Sequence, residues 1–191
     1  MPKQQHSRGS ARVFAVAALM ATLVLPASAA VVSGLEVGAP TISIPVLDVT
    51  GPYKGQAICY VCEFQGDPNV LAFFRDTGDA TAQLIVELNA LYVKNKDRNF
   101  KAVAMIIAGD TAKPWLEALQ AKEHLQIPLV VLRRGPKDVA VRLYSLSPDV
   151  DNTFLVTVDR SVAANLVGIA PQEFGRVAQA TATMLAAKHA H

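Results

Sequence analysis

The apolar positions of this chain fall into two kinds of pattern, and each predicts a different element. "NVLAFFR" (69–75), "KAVAMIIAGD" (101–110) and "IPLVVLR" (127–133) are nearly continuous apolar runs bounded by turn residues, the signature of strands covered on both faces. Between them lie stripes with a period near 3.6. Leu84, Ile85, Leu88, Leu91 and Tyr92 mark a helix over about 80–95. A second helix is predicted over about 113–125, with Thr111 as its cap and Pro114 in its first turn, where a missing N–H does no harm.

Upstream, "TISIPVLDV" alternates well enough for a short strand or hairpin arm. Downstream, "TFLVTVD" (153–159) and "AANLVGI" (163–169) predict a hairpin around "DRS". Pro171, Gln172 and Glu173 open a last helix, with Phe174, Val177, Ala178, Thr181, Met184 and Leu185 on one face. Strands alternating with helices, then a hairpin and a closing helix, describe an α/β sandwich around a mixed sheet.

The first thirty residues follow other rules. Lys3, Arg8 and Arg12 precede the apolar run "VFAVAALMATLVL" and then "PASAA", the pattern of a signal peptide cleaved after Ala29 or Ala30. Residues 1–30 are therefore expected to be a leader and 31–191 a single domain, exported to a periplasmic or extracellular location. Once the leader leaves, no membrane association is expected. Three of the 18 Lys and Arg and none of the 16 Asp and Glu lie in that leader, so the remaining chain is nearly neutral. That balance gives no electrostatic reason to expect a nucleic-acid partner.

The only two cysteines, Cys59 and Cys62, form a Cys-x-x-Cys spacing in "ICYVCEFQGDP". Three chemistries fit that spacing: a structural disulfide across a turn, a bridge that exchanges with thiols of a protein partner, or a metal knuckle. A metal would need further ligands from His124, His189, His191, carboxylates or a second subunit. Covalent haem attachment needs a His after the second Cys, and Glu63 stands there. No cofactor and no resident metal is expected. The turn signal "GDP" so soon after Cys62 predicts a tight bend without a helix of useful length to stabilise a thiolate, and Glu63 adds an opposing charge. Lys54, five residues upstream of Cys59, is a possible counter-charge.

Serine-hydrolase, P-loop and dinucleotide-binding motifs are absent. "DTGD" (76–79) echoes the aspartic-protease triplet but is expected to be a capping turn, with Asp79 as the cap. Trp115, Phe73 and Phe74 are expected in the core.

The order of elements, together with "NVLAFFRD", "HLQIPLVVL" and "NTFLVTVDRSVAANLVG", resembles the thioredoxin-like superfamily, and within it the peroxiredoxin-like and cytochrome-maturation-type branches. The resemblance covers roughly residues 40–187. It implies a thioredoxin-like sandwich, a mixed central sheet flanked by helices, with an N-terminal hairpin extension, and thiol–disulfide or antioxidant chemistry through Cys59 and Cys62. The departures are specific. Where those families carry their catalytic cysteine after the first central strand, this chain has "DTGDATAQ", and near Asp151 and Asn152 it lacks their proline. The competing expectation is a non-catalytic interaction domain that keeps the pair as a staple.

Overall fold

The structure, a computed structural model, describes Met1 and residues 31–188. The expected leader and its cleavage site, and His189 and His191, lie outside the described residues. From Val31 onward the chain clusters as one compact unit. Among the described residues no helix is long and apolar enough to cross a membrane.

The described residues form seven strands and five α-helices in the order β1 (Val46–Asp48), β2 (Ala57–Ile58), α1 (Tyr60–Glu63), β3 (Asn69–Phe74), α2 (Asp79–Asn95), β4 (Lys101–Ile106), α3 (Lys113–Glu123), β5 (Leu129–Val131), α4 (Val139–Leu143), β6 (Asn152–Val158), β7 (Ser161–Val167) and α5 (Gly175–Lys188). They build one mixed sheet in the order β2-β1-β5-β4-β3-β6-β7. The central strands β3, β4 and β5 run parallel, joined by the crossovers that carry α2 and α3. Antiparallel β6 and β7 extend one side and the β1–β2 hairpin the other. The expected N-terminal hairpin extension is therefore joined to the sheet through β1.

Alternation along the strands divides the core into two layers. Val70, Ala72 and Phe74 of β3, Ala104 and Ile106 of β4 and Phe154 of β6 meet Leu84, Ile85 and Leu88 of α2, Leu116 of α3, and Val177 and Leu185 of α5. Leu71, Phe73, Met105, Val130 and Leu155 point the other way, toward Tyr60 and Val61 of α1, Phe64 just after it, and Ala140 and Tyr144 at α4. Every residue of β3 is buried, which is why its sequence shows no alternation. Trp115 packs partly buried against the first layer, and Phe73 and Phe74 occupy opposite layers.

The segment before β1 is also built in. The buried Ser33 hydroxyl hydrogen-bonds Thr153 Oγ1 at 2.7 Å, and Asn165 Nδ2 donates to the carbonyls of Ser33 and Leu35. At the far end of the sheet the β6–β7 hairpin turns through Asp159 and Arg160, both with positive φ, as a two-residue turn matched to strand twist requires.

Two capping expectations are corrected. Gly78, not Asp79, is the N-cap of α2, and the carboxylate that organises the turn is Asp76, which accepts from Gly78 N–H (2.9 Å) and Thr81 Oγ1 (2.6 Å). Thr111 does not cap α3: Ala112 holds that position, while the Thr111 hydroxyl donates to the Ala108 carbonyl within a 3₁₀ turn. Each cap lies one residue from where the local pattern places it, because the 3₁₀ turn and the Asx turn shift where the helix begins.

Candidate functional site

Cys59 and Cys62 are joined in a disulfide, their Cα atoms 5.2 Å apart and both residues partly exposed. The bend predicted around them proves to contain one helical turn. Cys59 is the N-cap of α1, with extended backbone, and its Sγ accepts from Cys62 N–H at 3.2 Å. The same N–H also reaches the Cys59 carbonyl at 3.0 Å. This corrects the expectation that neither sulfur meets a helical amino end; the helix itself is only four residues long, too short for much of a macrodipole. It stops where Gln65 and Gly66 turn left-handed. What holds this turn is burial: Tyr60, Val61 and Phe64 enter the second core layer, and Cys59 packs partly buried against it.

A disulfide sulfur has no hydrogen to give, so the Ser43 hydroxyl, 3.4 Å from Cys62 Sγ, is the donor of that contact. Each sulfur thus has one protein donor: a backbone N–H for Cys59, a hydroxyl for Cys62.

A buried carboxylate anchors the surroundings. Asp48, 1 % exposed at the end of β1, accepts from Gly51 N–H (2.6 Å) and Tyr53 N–H (2.8 Å) in the β1–β2 turn, and from the Tyr60 hydroxyl (2.7 Å). Burial, then the Asp48 hydrogen bond and charge, hold the Tyr60 phenol well above its ordinary pKa. Tyr53 in turn donates its hydroxyl to Glu63 Oε2 at 2.5 Å, and that bond comes first in raising the Tyr53 pKa. The turn carrying the bridge is therefore tied at both ends to the hairpin before it. Lys54 pairs with Glu117 of α3 at 2.8 Å.

The register of the hairpin locates the bridge in the fold. Ala57 lies opposite Leu47, itself opposite Val131, and Ile58 lies opposite Val46, so Cys59 emerges toward the carboxyl ends of the parallel strands. The turn leaving β3 opens at that same end, but β2 stands four positions away from β3 in the sheet. That turn contains Asp76 and Gly78 and no sulfur. Near the second departure, Asn152 is buried and locked to Ile169 by two hydrogen bonds. His124, in left-handed conformation, closes α3 by donating its N–H to Gln120 O. Among the described residues no group of three or more His, Cys, Asp or Glu is placed to hold a metal ion.

Sequence reasoning missed Asp48, Tyr53 and Ser43 as parts of this site. Their local signals are those of a hairpin and its turn, and only tertiary pairing brings them to the bridge.

No family profile matches the chain, and no curated protein does. Solved structures do. A Chlorobium tepidum protein assigned as the thiol:disulfide interchange protein DsbE is 17% identical, covers 79% of this chain and 99% of its own, and superposes with a TM-score of 0.63. The peroxidoxin BcpB of Mycobacterium tuberculosis is 17% identical over 80% of this chain and 97% of its own, at 0.60. The thioredoxin domain of a thiol-disulfide oxidoreductase from Bacteroides vulgatus is 12% identical over 76% and 96%, at 0.58. The mixed seven-stranded sheet, its flanking helices and these superpositions agree: the chain has the thioredoxin-like fold, with its Cys-x-x-Cys pair displaced to the turn before the first central strand.

Proposed function

We propose that this is an exported thioredoxin-like protein that exchanges disulfides with protein thiols through Cys59 and Cys62. The observation that carries the reading is the placement of the bridge: a partly exposed disulfide whose first sulfur caps a helical turn and accepts a backbone N–H, set beside the buried Tyr60, Val61 and Phe64. The names of the structural neighbours, a thiol:disulfide interchange protein and a thiol-disulfide oxidoreductase among them, support the same chemistry. Export rests on the basic, apolar and small-residue order of residues 1–30.

In the exchange, a partner thiolate attacks one sulfur of the bridge, forming a mixed disulfide and releasing the other cysteine as a thiolate. The partner's second thiolate then attacks the mixed disulfide. The partner leaves oxidised, and Cys59 and Cys62 hold the two electrons and, after protonation, two thiol protons. Cys62 N–H lies where it can stabilise charge on Cys59, and the Ser43 hydroxyl does the same for Cys62.

The second reading, a bridge that only staples the turn, is favoured by the packing of Cys59 against the core and by the burial of Tyr60, Val61 and Phe64 beside it. Incubating the mature protein with a dithiol peptide separates the two. Exchange predicts transfer of the bridge to the peptide and its loss in Cys59→Ser and Cys62→Ser; a staple predicts a peptide left reduced.

A further inference from the structure

Glu63 follows Cys62 directly, and its carboxylate is engaged by one group, the Tyr53 hydroxyl at 2.5 Å. Tyr53 is not free to wander: its N–H is fixed on buried Asp48, and its ring meets that of Tyr60 edge-on, with centroids 6.3 Å apart. A phenol donor held against a carboxylate disperses part of its charge. The hydrogen-bond donors to the two sulfurs, the Cys62 N–H and the Ser43 hydroxyl, are neutral, and Lys54 of the hairpin pairs with Glu117. The charged residue adjoining the pair in the chain is thus Glu63, and the Tyr53 hydroxyl holds its carboxylate.

We propose that Tyr53 and Glu63 form a charge gate that sets how readily the Cys59–Cys62 bridge is reduced. Reduction by two glutathione molecules breaks the S–S bond, leaves two cysteine thiols and forms glutathione disulfide. Any thiolate formed in this process meets the Glu63 carboxylate, which opposes it. The Tyr53 hydroxyl weakens that opposition by holding the carboxylate. Glu63 is thereby a brake on reduction, and Tyr53, acting through it, is a positioning residue. The biological use of the gate rests on the exchange reading above; its physical effect on the two thiols does not, because it is read without any protein partner.

The two single substitutions have opposite signs, which a merely structural role for the pair would not give. Glu63→Gln, equilibrated in glutathione redox buffer at pH 7, moves the bridge toward the reduced form by roughly threefold to tenfold and shifts the pH profile of alkylation of the reduced protein to lower pH. Tyr53→Phe frees the carboxylate and moves both the other way, by roughly threefold. The double variant follows Glu63→Gln, since without the charge there is nothing for Tyr53 to moderate. The contact is exposed, so folding is expected to survive, checked by near-UV circular dichroism. Opposite shifts stand as support even where no peptide substrate is turned over, so failure of the exchange reading and failure of the gate are distinguishable. Shifts of the same sign, a Tyr53→Phe value within about twofold of the natural protein, or a double variant that sums the two single effects overturns the proposal.

Discussion

Asn152 and Ile169 exchange a pair of hydrogen bonds: Asn152 Nδ2 donates to the Ile169 carbonyl at 2.9 Å, and Ile169 N–H donates to Asn152 Oδ1 at 2.8 Å. Both residues are buried. The side chain thus acts as a surrogate strand partner that ends the β6–β7 ladder and directs the chain toward α5. Asn152→Leu has a similar volume and makes neither bond, so two buried backbone groups lose their partners. The expected cost is about 3 kcal/mol, read as a lower urea midpoint at unchanged slope.

Gly34 tests how firmly the segment before β1 is seated. Its φ is +89°, and a Cβ there would lie 2.7 Å from Thr153 Cγ2 and 2.9 Å from Asn165 Nδ2. Gly34→Ala is therefore both strained in its backbone and crowded, and should lower stability by roughly 2–4 kcal/mol. Gly38, also at positive φ but with open space around it, should cost less than Gly34 when replaced by Ala. Equal costs at the two sites would show that the segment is not packed as described.

Tyr144 gives the fold an alkaline limit. Burial raises its pKa to about 12, partly countered by the Ile42 N–H, which donates to the phenol oxygen at 3.2 Å. A phenol whose folded pKa is above its unfolded value of 10.0 contributes stability that is complete below pH 10 and is lost as pH rises toward 12. Tyr60 shifts in the same direction, again chiefly by burial. Tyr144→Phe should be less stable than the natural protein at pH 8, and that deficit should shrink by about 1–2 kcal/mol at pH 11. Short-exposure urea unfolding at the two pH values measures it; a constant deficit would contradict the assignment.

The bridge itself should matter little to global stability. It closes a very short loop, Cys59 to Cys62, so the chain-entropy contribution is at most about 2 kcal/mol. Cys62→Ser should remain folded, with a melting temperature lowered by a few degrees, because Tyr60, Val61 and Phe64 still anchor the turn. Complete unfolding of that variant would mean that the bridge, not burial, holds α1.

The parts of this fold legible in the sequence are those whose burial is repeated over many residues. β3 and β4 read as continuous apolar runs because both of their faces are covered, and α2 shows its stripe over 17 residues. The paired left-handed residues Asp159 and Arg160 mark the hairpin. The four-residue α1 and five-residue α4 were not legible. Neither is long enough to carry a period, and each exists because one or two side chains, Tyr60 and Phe64 or Ala140 and Tyr144, find the second core layer. The candidate site shared that fate. The cysteine pair was visible as a spacing, but the helical turn beneath Cys59 and the ties from Asp48, Tyr53 and Ser43 depend on contacts from 10 to 19 residues away. "GDP" correctly announced a turn; it could not say that a helical turn fits ahead of it.

Equilibrating the protein across a series of glutathione redox buffers, while following the thiols by alkylation and the fold by near-UV circular dichroism, is the most direct test of Cys59–Cys62 as an exchanging pair. A single reversible two-electron transition, abolished in Cys59→Ser and Cys62→Ser and completed with the fold unchanged, is the predicted result. A bridge that resists reduction until the protein unfolds would contradict it.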